Sequence, residues 1–141
     1  MQEPRQIEQF PHVITEKLRF GDTDQQGHVN NAVFATLFES GRVAFLYDPE
    51  RGMPPSGCQF VIAEITIRFA GEMNYPGEVR VASGVSRLGR TSVGLSQALF
   101  LDGRCVAMAD SAIVLIDTHT RRPAALPDNA RAALSSLMLA P

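Results

Sequence analysis

Between Asn31 and about Tyr47 the apolar residues Val33, Phe34, Leu37, Phe38, Val43, Phe45 and Leu46 recur at three- and four-residue intervals, the period of one helix face. No other long internal segment has that period, and Gly41 is the one weak helix former inside it. The chain beyond Tyr47 is of another kind. Pro49, Gly52, Pro54, Pro55 and Gly57 interrupt the backbone, and then four β-rich runs come in close succession: 60–69 (FVIAEITIRF), 78–87 (EVRVASGVSR), 92–101 (SVGLSQALFL) and 104–117 (RCVAMADSAIVLID). LDGR at 101–104 is an Asp-Gly hairpin signal, and LGRT at 88–91 and NYPG at 74–77 supply turns for the other joints. Ahead of the helix, VITEKLRF at 13–20 sets Ile14, Leu18 and Phe20 on one parity, as a half-buried strand does. The tail PDNARAALSSLMLA carries a short helix from Pro127 or Asp128. One strand, one long helix and a four-strand antiparallel meander fit a single solution: an α+β fold in which a curved five-stranded antiparallel sheet wraps the helix.

A length of 141 residues suits one domain over 1–141, with 45% hydrophobic and 20% charged residues typical of a globular core. No repeat, low-complexity tract or interdomain linker interrupts it. A formal net charge of -2 gives no basic footprint for nucleic acid. The opening MQEPRQIEQF lacks the basic end and apolar run of a leader. No later run reaches the roughly 18 apolar residues of a membrane span, so a cytoplasmic chain is expected. Cys58 and Cys105 form neither a disulfide framework nor a zinc spacing, and both are expected to be reduced and partly buried.

The chemistry concentrates in RFGDTDQQGHVNNAVF, residues 19–34, between the first strand and the helix. Asp22 and Asp24 are two apart, so in an extended or turn backbone both carboxylates would face one cleft. Capping of the helix is the plainest use of such residues. A divalent cation held by two carboxylates would need further oxygen ligands. Aspartyl-phosphate chemistry normally sits on a doubly wound sheet that one helix cannot supply. Acyl transfer is the third chemistry, with a carboxylate beside a helix N-terminus whose free N–H groups hold an oxyanion.

DTDQQGHVNNAVF followed by FESGR resembles the signature of the 4-hydroxybenzoyl-CoA thioesterase-like branch of the hotdog-fold superfamily, commonly D-x-D-x-x-G-[HIV]-[VY]-x-[NH]-x-x-[YF] and then an acid and an Arg on the helix. The resemblance runs over nearly the whole chain, because the order of strand, helix and four strands is the hotdog's own. It implies an acyl-CoA thioesterase in which Asp24 is the catalytic carboxylate and Asp22 a supporting one. It also implies that a backbone N–H in the first helical turn, at Asn31, polarises the thioester carbonyl. Gly27 lets backbone approach the acyl group or is an ordinary turn glycine. His28 orients the loop, touches the thioester or is simply structural, and Asn30 reads as the N-cap.

Glu39 and Arg42 are three apart and suited to pair on the helix, although Glu39 recurs in the family pattern. Glu64 either pairs at a subunit interface or lies near the pocket. The run Arg87 to Ser92 resembles the family's CoA-nucleotide region, with Arg90, Thr91 and Ser92 as binding residues, or it is a solvated basic turn. Gln25, Gln26 and the run His28-Val29-Asn30 depart from the hydroxybenzoyl enzyme and point from aromatic toward fatty or other acyl-CoA. No metal and no redox cofactor are implied, CoA being part of the substrate. A long free edge strand implies a homodimer sharing a continuous sheet, with a homotetramer as a further pairing. A non-catalytic acyl-CoA binding module and a hotdog enoyl-thioester hydratase are the rival functions.

Overall fold

A computed structural model describes residues 5–141. In it β1 (His12–Lys17) precedes α1 (Asn31–Leu46). The strands β2 (Cys58–Phe69), β3 (Glu78–Leu88), β4 (Ser92–Leu101) and β5 (Arg104–Asp117) come next, and α2 (Asp128–Ser135) closes the chain. The five strands form one antiparallel sheet in the order β1-β3-β4-β5-β2. The sheet curves round α1, the hotdog arrangement. No helix among the described residues is long and apolar enough to cross a membrane.

Local chemistry sets the boundaries. Asn30 caps α1 by accepting the Ala32 N–H on its side chain at 2.9 Å. At the other end Pro49 disfavours helical backbone at Asp48, so the chain passes into a 3-10 turn, Pro49–Arg51. Asp102 and Gly103 both take positive φ in the β4–β5 hairpin, as that tight turn demands.

The first strand is shorter than its alternation implies. It stops at Lys17 because Arg19 and Asp22 close a 3-10 turn over Phe20–Asp22. Phe20 therefore lies outside the core, 76% exposed against Tyr75.

The buried face of α1 contributes Phe34, Leu37, Phe38, Gly41, Arg42, Phe45 and Leu46. Phe34, Leu37 and Phe38 pack with Leu18, Met73, Val79, Val81 and Leu99 in one apolar cluster. Phe45 and Leu46 pack with Phe60, Val85, Leu95, Ile113, Leu115 and Leu134 of α2 in a second. Burial of each large side chain is worth roughly 1.5–3 kcal/mol. Between the clusters runs a buried polar row of Ser83, Gln97, Ser111 and Arg42. Gln97 Nε2 donates to the Phe38 carbonyl at 3.0 Å and to Ser83 Oγ at 2.9 Å. Arg42 thus turns into the core rather than onto Glu39, and no Glu39–Arg42 ion pair forms among the described residues. The outer face of the sheet is covered in part by Phe10, packed with Ala82, Ala98 and Phe100. Cys58 and Cys105 are free and half-buried.

At Gly41 α1 lies close against the sheet. A Cβ there would stand 2.5 Å from Val81 Cγ1, 2.9 Å from Gln97 Nε2 and 3.0 Å from Ser83 Oγ. Gly41→Ala gains helix propensity but overpacks this contact, so a net loss of about 1–3 kcal/mol is expected. Urea unfolding should show the midpoint falling with little change in slope; an unchanged or raised midpoint would mean that the helix can shift freely.

Candidate active site

The segment from Arg19 to Asn30 is a pinched loop with two differently employed carboxylates. Asp22 is 4% exposed. It accepts the Arg19 N–H on Oδ2 at 2.8 Å, and the guanidinium of Arg19 on Oδ1 through Nε at 3.2 Å and Nη2 at 2.8 Å. The hydrogen-bonded Arg19 side chain holds the Asp22 carboxyl below its ordinary pKa, against the opposing effect of burial. Its carbonyl meanwhile accepts the Asn30 N–H at 2.9 Å. Asp22 is therefore an anchor that ties the loop to the start of α1, and the two carboxylates do not share a cleft. Among the described residues no three His, Cys, Asp or Glu side chains are grouped as a metal would require.

Asp24 is exposed, and only one of its oxygens is occupied. Oδ1 accepts the N–H of Gln26 at 2.8 Å and that of His28 at 3.1 Å. Oδ2 has no partner among the described residues. The Asp24 N–H donates to the His28 carbonyl at 2.8 Å, and the Gly27 N–H to the Asp24 carbonyl at 3.1 Å. Gly27 turns this loop at φ 80°, which is what calls for glycine there, and open space lies where its Cβ would be.

Asp24, His28 and Asn31 line one cavity of about 460 Å³, with Gln26, Phe34, Phe69 and Glu72. Asn30 spends its side chain on Ala32, and the Asn31 N–H is left without an acceptor among the described residues. The N-terminal end of α1, the positive end of its dipole, thus borders the same cavity as Asp24. His28 Nε2 lies 3.2 Å from Glu72 Oε2. The Val29 N–H donates to the Met73 carbonyl at 2.8 Å, stitching the β2–β3 connection to the loop.

Glu72 and Phe69 are the members of this site that the sequence does not announce. Phe69 is simply the last residue of a strand, and Glu72 has no fixed spacing from the motif. A larger hollow of about 560 Å³ opens elsewhere, at Thr15, Glu78, Arg80 and Asp102. It contains no motif residue and no such pairing of carboxylate and helix terminus, so the site is assigned to the smaller cavity.

Arg90, Thr91 and Ser92 are not part of this cavity. They sit at the β3–β4 turn, beside the start of β2, whereas Asp24 lies beside its end. At about 3.4 Å per residue along a strand, roughly 25 Å separates the two within one chain. The turn is held by its backbone: the Leu126 N–H donates to the Arg90 carbonyl and the Leu115 N–H to that of Thr91, both at 2.9 Å. Glu64 faces the sheet's outer side, in a polar hollow with Thr66, Arg87, Ser96 and Asp110, and does not reach the Asp24 cavity of its own chain.

A five-stranded antiparallel sheet round one long helix defines the hotdog class of fold. A model of the thioesterase-like superfamily matches residues 18–134, and the chain belongs to that superfamily as a thioester hydrolase. Among solved structures, the PA5185 protein of Pseudomonas aeruginosa PAO1 superposes with a TM-score of 0.87 at 27% identity, over 96% of this chain and 98% of that one. A thioesterase of Thermus thermophilus, solved with coenzyme A and zinc, gives 0.81 at 29% identity over 92% and 96%. A predicted thioesterase of Bacillus stearothermophilus gives 0.82 at 28% identity over 92% and 98%. No curated protein matches.

The anchoring role of Asp22 has a pH signature. Its folded pKa is lowered from 3.8, so its contribution to stability is complete above that value and is lost as pH falls through the lower folded one. Acid unfolding of the wild type should be correspondingly steep below about pH 4, and Asp22→Asn should start from a lower Tm and lose less on acidification. Parallel Tm-against-pH curves for the two proteins would show that the Arg19 contact contributes nothing.

Proposed function

We propose that this enzyme hydrolyses an acyl-CoA thioester to a free acid and CoA, with Asp24 as the reacting carboxylate. The observation that carries the reading is the half-occupied carboxylate: Oδ1 is fixed by two backbone N–H groups and Oδ2 has no partner among the described residues, in a side chain that lines the cavity where α1 begins. A thioester carbonyl between the two would direct its oxygen to the Asn31 N–H, where helix-end donors stabilise the charge that develops. Asp24 then either attacks the carbonyl, expelling CoA thiolate and leaving a mixed anhydride that water opens, or takes a proton from the attacking water. Either route yields the acid and CoA without a redox step, and neither calls for a metal. Gly27 sets the turn that aims Asp24, and His28 orients the loop through its own N–H and Glu72. The relative solved with coenzyme A supports CoA as the carrier.

A second copy completes the site. β2 is an edge strand of 12 residues, and its inner side leaves Ile62 46% and Phe69 50% exposed. Such an edge is normally covered. Antiparallel pairing of two β2 strands gives a homodimer with one continuous sheet. It carries the β3–β4 turn of one copy toward the Asp24 end of the other, where Arg90, Thr91 and Ser92 meet the CoA phosphates. Two such dimers can pair again into a tetramer, which the site does not require.

Asp24→Asn keeps shape and removes basicity, so turnover should fall by at least about a hundredfold while the fold and acyl-CoA binding persist. CoA release by the folded variant at a near-normal rate would remove Asp24 from the mechanism. In the same assay the wild type should keep its activity after exhaustive chelation; loss on stripping and recovery with one metal would assign the two aspartates to a cation instead.

Arg90→Ala should raise KM for acyl-CoA and leave a truncated thioester lacking the nucleotide unaffected, because only binding remote from the reacting carbon is lost. Equal effects on both substrates would contradict the phosphate role.

A further inference from the structure

Arg42 is the one cation in the buried polar row. It is 9% exposed, its side chain's only hydrogen bond among the described residues is the long 3.5 Å contact from Nη1 to Gln97 Oε1, and no carboxylate among them lies within ion-pair distance of it. A guanidinium stays charged in a protein, and an unpaired buried charge is costly by several kcal/mol. The side chain is also not sealed in. It lines a separate pocket of about 210 Å³ between α1 and β2, walled by Val43, Leu46, Phe60, Ile62 and Ile113, with the exposed Glu39 also on its lining. The Tyr47 hydroxyl, which donates to the Phe60 carbonyl at 2.9 Å, braces one side. This pocket and the Asp24 cavity lie along the same flank of α1 and β2. Asn31 and Arg42 are separated by about 16 Å of helix at 1.5 Å per residue. The pocket is smaller than the 300–1,000 Å³ usual for a whole ligand, so it suits the end of a chain.

We propose that this pocket receives the far end of the acyl group and that Arg42 pairs there with a carboxylate, making the preferred substrates CoA monothioesters of dicarboxylic acids. Apolar walls take the methylene chain and Arg42 takes the terminal anion as a charge-assisted pair, which outweighs repulsion from the exposed, solvent-screened Glu39 on the same pocket. Arg42 is then a specificity residue, remote from the bond that breaks. The inference rests on the thioesterase reading for the position of the thioester, but binding and hydrolysis test the two separately.

The probes are non-hydrolysable S-alkyl-CoA thioethers of matched length, ending in methyl or in carboxylate, titrated calorimetrically into the wild-type protein. The carboxylate-ended series is expected to bind at least about tenfold more tightly, a difference of about 1.4 kcal/mol. Arg42→Lys should keep the preference and Arg42→Met should reverse it, with the fold of each variant checked by thermal unfolding. Should Arg42→Met fail to fold, the wild-type and Arg42→Lys comparison still decides. Equal binding of both series by the wild type would overturn the proposal even if both parent thioesters are hydrolysed; that result would leave Arg42 to a carboxylate of the second copy. A carboxylate preference in binding with no hydrolysis of any thioester would instead sustain the pocket and sink the thioesterase reading. If neither series bound, both would fall.

Discussion

The seating of α1 on the sheet is the contact on which the rest of the molecule depends. Gly41 removes the side chain that would hold the helix off, and Gln97 reaches from β4 to the Phe38 carbonyl across the gap. A buried amide that finds its partners adds specificity to an otherwise slippery apolar contact. It fixes how far along the sheet the helix lies, and so where its N-terminus emerges. The N-terminal end of α1 and the loop before it are positioned by this contact, about ten residues away along the helix.

The two aspartates divide labour by what surrounds them. Asp22 is tied to Arg19 and to the Asn30 N–H, which makes it a structural fastening. Asp24 is held, among the described residues, through one oxygen only, which is the arrangement the proposed chemistry uses. Residues two apart in the chain thus serve different ends because the 3-10 turn at Phe20–Asp22 rotates one of them inward.

The strands, the central helix and its Asn30 cap are legible in the sequence because each carries a local signal, a period, a turn pair or a capping residue. Phe20 misleads because parity cannot see a capping box that ends a strand early. The inward turn of Asp22 is hidden for the same reason. Arg42 reads as a surface partner of Glu39 since a spacing of three satisfies both a surface pair and a buried side chain that faces the sheet. Asp24, His28 and Asn31 come together as their clustering in sequence implies. Glu72 arrives from a segment some forty to fifty residues on, and no local rule brings it there. Arg90, Thr91 and Ser92 illustrate the converse: a single chain places them at the far end of the sheet, and only symmetry could bring them to the site.

The polar row of Ser83, Gln97, Ser111 and Arg42 separates two apolar clusters that share a sheet but no member. Changes at well-separated positions without shared partners tend to be additive. The interior is consequently built as two compartments with a bulkhead between them. Phe34, Leu37 and Met73 on one side can change with little echo at Phe45, Leu115 and Leu134 on the other, although Leu46, Phe60 and Ile113 of the second side also wall the pocket beside Arg42. The cost of a change in one compartment is therefore borne largely within that compartment.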